Sequence, residues 1–208
     1  MLIKNVVFDL GNVILNINPE LSVKEFSKLG IPNFDKLYTL SLQTELFDDL
    51  ETGRTNAGAF CEKVRIITNT NLHDSIIIDA WNALILDFPQ ENLELLKRAR
   101  NKYRTFILSN TNRIHYEYYT ENLNKYHDIQ NLESLVEKAF FSHEIGLRKP
   151  DKGIFNYMIN ITGIDPSETL FIDDSRANCR TAEMLGFFVE EYREKNLPQL
   201  FRKLNLPF

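Results

Sequence analysis

Apolar residues along the chain fall into two patterns. In the first, short runs are apolar almost without a break. NVVFD closes on Asp9, RTFILSN on Ser109 and Asn110, TLFIDDS on Asp173 and Asp174, and FFVEEY opens behind Gly186. Runs of this length and β-branched, aromatic content predict strands covered on both faces, as in a parallel sheet. In the second pattern, apolar residues recur at helical spacing. In PQENLELLKRARNKY, Leu93, Leu96, Ala99 and Tyr103 share one face behind Pro89. In KPDKGIFNYMINITG, Pro150 suits a first helical turn, Ile154, Tyr157, Met158 and Ile161 form one face, and Gly163 closes it. In SRANCRTAEMLGF, Ser175 is the expected N-cap, Ala182 and Leu185 face inward and Gly186 ends the helix.

From about Ile17 to Asp87 the strand pattern is missing. PELSVKEFSKLG, FDKLYTLSLQTELFDDLETG, NAGAFCEKVRIITN and HDSIIIDAWNALIL follow one another with helical spacing. The expected architecture is therefore α/β. A Rossmann-like three-layer core with a parallel sheet is built from residues 1–16 and 88–208. A small all-helical segment, 17–87, is inserted after the first strand. There are no internal repeats and no low-complexity linker, so short hinges should join the two.

Composition narrows the function classes. Of 208 residues, 43% are hydrophobic and 25% charged, the balance of a globular protein. A net charge of -5 argues against general nucleic-acid binding, which needs basic surface to neutralise phosphates. The two cysteines, Cys61 and Cys179, lack metal-ligand spacing and read as reduced, buried thiols. MLIKNVV shows no signal-peptide pattern, and no apolar run approaches the roughly 20 residues of a membrane span. A cytoplasmic protein, monomeric or weakly dimeric, is expected.

The chemistry sits at the strand ends. In an open parallel sheet, ligands bind beyond the carboxyl ends of the strands, where Asp9, Ser109, Asp173 and Asp174 fall. Three carboxylates brought together there repel one another unless a cation joins them. Hard oxygen donors at that charge density suit Mg²⁺, which also takes substrate phosphate. Ser109 and Asn110, ahead of the helix-like TNRIHYEYY, can offer a hydroxyl and backbone N–H groups to phosphate. Lys149, in GLRKPDKGIF, precedes another expected helix and can bring an ammonium to the same anion. Arg148 reads equally as a surface cation.

Taken in order, these stretches resemble the four motifs of the haloacid dehalogenase-like hydrolases. VVFDLGNVI is similar to motif I, FILSNTN to motif II, GLRKP to motif III and FIDDS to motif IV. The resemblance implies Asp9 as nucleophile and Lys149 as its steadying cation. It implies a phosphate held by Leu10, Gly11, Ser109, Asn110 and Lys149, and Mg²⁺ on Asp9, the Gly11 backbone, Asp173 and Asp174. It further implies that 17–87 is the family's helical cap. The strings FDLGNVI, LSNTNR and RKP most resemble a bacterial branch of sugar-phosphate phosphatases that includes α-D-glucose-1-phosphate phosphatase. The implied activity is Mg²⁺-dependent hydrolysis of a small phosphorylated metabolite, such as a hexose 1-phosphate, through an aspartyl-phosphate.

One position departs from that pattern. Most phosphatases of the family carry a second Asp two residues after the nucleophile, serving as general acid and base. Here it is Gly11. General acid–base catalysis is worth roughly 10²–10⁴-fold, so the leaving group must need little help, another group must supply the proton, or the chain is a weak enzyme that binds phosphate ligands. His115, Glu144, Asp48 and a bound water remain open as donors. A metal-independent haloacid dehalogenase is the other enzymatic alternative, although the acids of FIDDS argue for phosphate. Receiver domains also phosphorylate an Asp after a strand, but they are shorter and lack the helical insert. Within that insert Phe47, Asp48, Glu51 and Arg54 surround a turn at Gly53 and can overhang the site. Trp81 reads as core packing, and His73, His127 and His143 as surface or satisfied histidines.

Overall fold

The computed structural model describes residues 3–31, 34, 42–193 and 196–208, with backbone alone for 42–45. The expected helix across FDKLYTLSLQTELFDDLETG therefore has residues 35–41 outside the described residues. Strand β1 (Asn5–Phe8) is the centre of a five-stranded parallel sheet. It is flanked by β2 (Arg104–Ser109) and β4 (Thr169–Asp173). Beyond these lie β3 (Lys138–Phe141) and β5 (Phe188–Glu191), giving the order β3-β2-β1-β4-β5. The connection direction reverses between β1 and β4, which makes their carboxyl ends the topological switch point where such sheets bind ligands.

Alternation along β1 explains the layers. Val6 and Phe8 point to one face and Val7 to the other, all of them fully buried. Val7, Phe106, Leu108 and Phe171 pack with Ile154, Phe155 and Met158 of helix α8 (Lys152–Thr162) and Ala182 of α9 (Arg176–Met184). The opposite face, with Val6, Phe8, Ile107 and Ile172, packs under α5 (Gln90–Ala99), α6 (Arg113–His127) and α10 (Leu197–Lys203). A four-residue helix, α7 (Ser142–Ile145), follows β3. Covering both faces is what lets these strands be continuously apolar.

Among the described residues, no strand of the sheet lies between β1 and β2. Instead come α1 (Pro19–Lys28), α2 (Leu42–Glu51), α3 (Ala57–Thr68) and α4 (Asp74–Asn82). The chain leaves and re-enters the sheet through a narrow neck. Asn16 N donates to Asp87 O and Leu86 N to Asn16 O, both at 3.0 Å, and Ile17 faces Ile85 in an antiparallel bridge. Aromatic rings fill the helical segment: Phe26 stacks on Phe34, and Trp81 packs against Phe47 at 5.0 Å and Phe60 at 5.6 Å. Trp81 is thus core, as expected, and its far side stacks on His115 of α6 at 4.8 Å.

Several expectations need correction. Strand β3, KAFF, was not expected. As an edge strand it leaves Lys138 exposed, so its apolar run, Ala139 to Phe141, is only three residues long. Helices α7 and α10 were also not anticipated. Pro150 lies outside α8, whose N-cap is Asp151, donor-side contact being Gly153 N to Asp151 Oδ1 at 2.8 Å. Tyr157 and Ile161 are 41% and 50% exposed, because α8 buries the narrower stripe of Ile154, Phe155 and Met158. Tyr103 is buried although α5 has already ended. Both cysteines are free and buried, and no described helix is long and apolar enough to cross a membrane.

Replacing fully buried Phe60 by Ala removes the ring between Phe47 and Trp81. We expect a loss of about 3–5 kcal/mol in denaturant unfolding; a loss near zero would show that the aromatic cluster does not hold the helical segment together.

Candidate active site

Register sets the positions of the acids. Phe8 pairs with Ile172, so Asp9 and Asp173 leave adjacent strands at the same level. The bond from Asp9 N to Ile172 O, 2.8 Å, extends the ladder by one residue. Asp174 follows in the turn before α9. Carboxylate oxygens of Asp9, Asp173 and Asp174 all lie within 4.8 Å of one another. The ammonium of Lys149 enters this group from the loop before α8, 2.8 Å from Asp9 Oδ1 and 2.6 Å from Asp173 Oδ2. Asp173 and Lys149 are completely or almost completely buried.

The electrostatics follow from that burial. Loss of water pushes the Asp9 carboxyl up to about 7; Lys149 opposes the shift, while Asp173 adds to it. Burial alone would depress the Lys149 ammonium, but the carboxylates of Asp173 and Asp9 outweigh it and hold it above the usual lysine range. Burial also raises Asp174, against the hydrogen bond from Asn12. Three carboxylates against one ammonium leave an excess of negative charge. That donor set suits a hard divalent cation.

Neutral amides hold the cluster in place. Asn178 Nδ2 donates to both oxygens of Asp173, at 3.0 and 3.1 Å, and Ser175 N donates to Oδ1 at 2.8 Å. Asn12, with φ +57°, reaches Asp174 Oδ2 at 2.9 Å. Neither asparagine carries a role in the sequence reading: Asn12 falls within VVFDLGNVI and Asn178 within the helix of SRANCRTAEMLGF. Their role depends on a left-handed backbone and on one helical turn returning to the strand end.

The remaining expected residues also gather here. Asn110 uses its side chain on Lys149, donating Nδ2 to the Lys149 carbonyl and accepting from its N–H, both at 2.8 Å. This reciprocal clamp fixes the lysine loop. Ser109 is buried at the end of β2. Beside it, Ser142 Oγ accepts from Thr111 N and donates to Thr111 O, each at 2.9 Å. Leu10 is buried, and its carbonyl accepts from Ile14 N and Leu15 N at 2.9 Å. Gly11 sits in that turn, where a Cβ would come 3.0 Å from Cδ1 of Ile17.

The open proton donors take different places. His115 hydrogen-bonds through Nδ1 to Asn82 Oδ1 at 2.8 Å, and burial lowers it to about 3. It is a neutral ring packed on Trp81. Asp48 is ion-paired with Arg148, and burial raises Glu144. His73 caps α4, and His127 bonds Gln90 at 3.0 Å. Arg148 is no free surface cation. A polar cleft of about 770 Å³ adjoins the cluster, lined by Asn12, Asp174, Asn16, Asn18, Glu20 and Arg193 among others.

The family model described as haloacid dehalogenase-like hydrolase matches residues 3–186. The D-ribitol-5-phosphate phosphatase of Bacteroides thetaiotaomicron is 32% identical over 201 residues, covering 94% of this chain and 93% of its own. The wild-type crystal structure of a HAD family enzyme from the same organism, complexed with magnesium and inorganic phosphate, superposes with a TM-score of 0.88. It is 34% identical and covers 96% of this chain and all of its own. A HAD-like hydrolase structure from Porphyromonas gingivalis gives 0.87 at 32% identity, covering 98% of each chain.

A carboxyl raised to about 7 keeps its proton below that pH, and a protonated carboxyl is a poor ligand. Divalent-cation affinity should therefore weaken as pH falls through about 7. Calorimetry in buffers of different ionisation enthalpy should show more proton release on binding at about pH 6 than at about pH 8. Equal release at both would contradict the raised Asp9.

Proposed function

The chain belongs to the haloacid dehalogenase-like hydrolases, and from that membership we propose that it is a magnesium-dependent phosphatase of a small sugar or sugar-alcohol phosphate, with Asp9 as nucleophile. The observation that carries this reading is the set of three carboxylates around one buried lysine at the switch point of the sheet. Phosphoryl transfer needs little beyond an aligned nucleophile and compensation of charge on the phosphoryl oxygens; this set supplies the nucleophile, and Lys149 together with the cation that the carboxylates are suited to hold would supply the compensation. The residues suited to hold magnesium are Asp9, Asp173 and Asp174, with the Gly11 carbonyl. When bound, magnesium neutralises the carboxylates and the phosphate facing them.

This chain's own residues account for the other parts. Lys149 holds one oxygen of Asp9 and so orients the carboxylate. A carboxylate oxygen attacks phosphorus, the bond from phosphorus to the leaving oxygen breaks, and that oxygen takes a proton. Water then attacks phosphorus in the aspartyl-phosphate, releasing phosphate and restoring Asp9. Ser109 and the backbone beyond Asp9, at Leu10 and Gly11, are suited to the phosphoryl oxygens. We read the helical segment 17–87 as a cap that selects the leaving group. The amide-lined cleft supports a polyhydroxylated leaving group, because Asn12, Asn16 and Asn18 carry groups that both donate and accept. The phosphatase relative, named for a sugar-alcohol phosphate, supports the same class.

Gly11 gives the reading its particular form. With no carboxyl there, the leaving oxygen must be intrinsically acidic, as an anomeric hydroxyl is, or must take its proton from another source. Purified protein should hydrolyse p-nitrophenyl phosphate and a panel of sugar and sugar-alcohol phosphates with Mg²⁺, and EDTA should abolish turnover. Asp9→Asn should lower turnover by at least about 10³-fold; turnover indifferent to EDTA, or surviving in Asp9→Asn, would refute the proposal. Gly11→Asp, whose Cβ is accommodated by a small shift of the Ile17 side-chain tip, should speed alkyl phosphates by up to about 10²-fold and hardly change p-nitrophenyl phosphate. Equal effects on both would show that Gly11 is not a missing acid.

A further inference from the structure

One residue before Lys149 begins a second charged cluster that the chemistry above does not use. The Arg148 guanidinium pairs with Asp48 and, at 3.1 Å, with Glu51. These carboxylates lie three residues apart on α2 and so share one face of the helix. All three side chains are largely covered, at 36%, 26% and 20% exposure, so the pairing is screened less than a surface ion pair. Burial pushes the Glu51 carboxyl up to about 7. The backbone is fitted at the same place. Gly53, at φ +67°, approaches α7 so closely that a Cβ would collide with the His143 carbonyl oxygen. The loop from Gly146 to Lys149 is therefore fastened twice, by Asn110 at the lysine and by α2 at the arginine.

We propose that Arg148 is a positioning residue that fastens the end of α2 to the loop before α8, so that the helical segment is held against the site for substrate selection, while Lys149 keeps its own place through Asn110. The consequence for substrates rests on the phosphatase reading above. An activated substrate such as p-nitrophenyl phosphate needs little enclosure, whereas a sugar or sugar-alcohol phosphate draws on remote contacts to reach its transition state. Losing the fastening should therefore separate the two. It also makes Arg148 a determinant of selectivity without contact with the reacting atoms. Arg is suited to this task because its planar guanidinium holds its donors in a fixed fork, so less side-chain freedom is lost per hydrogen bond than with a flexible lysine.

The test is Arg148→Met, which keeps much of the apolar stem and removes the charge. Amide hydrogen exchange at Asp48–Gly53 should accelerate about tenfold or more. With magnesium present, kcat/KM for a sugar or sugar-alcohol phosphate should fall about tenfold, while p-nitrophenyl phosphate turnover stays within about twofold. The double variant Asp48→Asn, Glu51→Gln should reproduce this split, and combining it with Arg148→Met should add little, since both break the same link. Arg148→Lys should fall between the wild type and Arg148→Met, and it serves if the methionine variant does not fold. Unchanged exchange, equal losses on both substrates, or additive losses in the combined variant would each overturn the proposal. A wild type without magnesium-dependent turnover would refute the phosphatase reading alone, because the exchange experiment still decides whether Arg148 fastens α2.

Discussion

Everything at the carboxyl edge of this sheet depends on one buried ammonium. Lys149 lies between Asp9 and Asp173, at 2.8 and 2.6 Å, in a place where water is almost absent. Taking a single ion out of water costs several kcal/mol, and a buried charge survives only when its partners and hydrogen bonds are nearly complete. The surrounding residues meet that requirement. Asn178 and the Ser175 N–H satisfy Asp173, Asn12 holds Asp174, and Asn110 secures both main-chain groups of Lys149. Removing the ammonium would leave carboxylates facing one another within 4.8 Å, so the lysine makes the arrangement foldable before any ligand arrives.

The same constraint explains why the fold places its polar residues as it does. A five-stranded parallel sheet buried on both faces has apolar strands and confines charge to strand ends. The reversal of connection between β1 and β4 opens a gap there. Asp9, Asp173 and Asp174 gather at that gap because neighbouring strands stop at the same level. The α1–α4 segment enters through a neck one bridge wide, between Ile17 and Ile85, and touches the lysine loop at Arg148. Structural satisfaction of the charges and the chemistry proposed for them therefore use the same atoms.

Much of this was legible in the amino-acid order. NVVFD, RTFILSN and TLFIDDS announce strands because an interior strand has no solvent face to alternate with, and each brings its terminal polar residues to the edge. KAFF was not legible: an edge strand with Lys138 exposed carries too short an apolar signal. Asn12 and Asn178 were equally hidden, since an asparagine in a turn and another in a helix are ordinary until the backbone brings them to a carboxylate. Arg148 looked like a solvated cation because its partners lie about a hundred residues earlier, and pairing at that range follows from packing rather than from local pattern. Gly11 was conspicuous for the opposite reason, as a departure within an otherwise matching motif.

In the mechanism proposed here, Asp9 takes up the phosphoryl group during turnover. The enzyme can be quenched in acid during the first turnover with its preferred phosphate ester, reduced with borohydride and mapped by mass spectrometry. An acyl phosphate at residue 9 is reduced to the alcohol, so conversion of Asp9 to homoserine, with Asp173 and Asp174 intact, is the expected result. Reduction at another carboxylate, or product formation in that turnover with Asp9 never modified, would rule out Asp9 as the nucleophile.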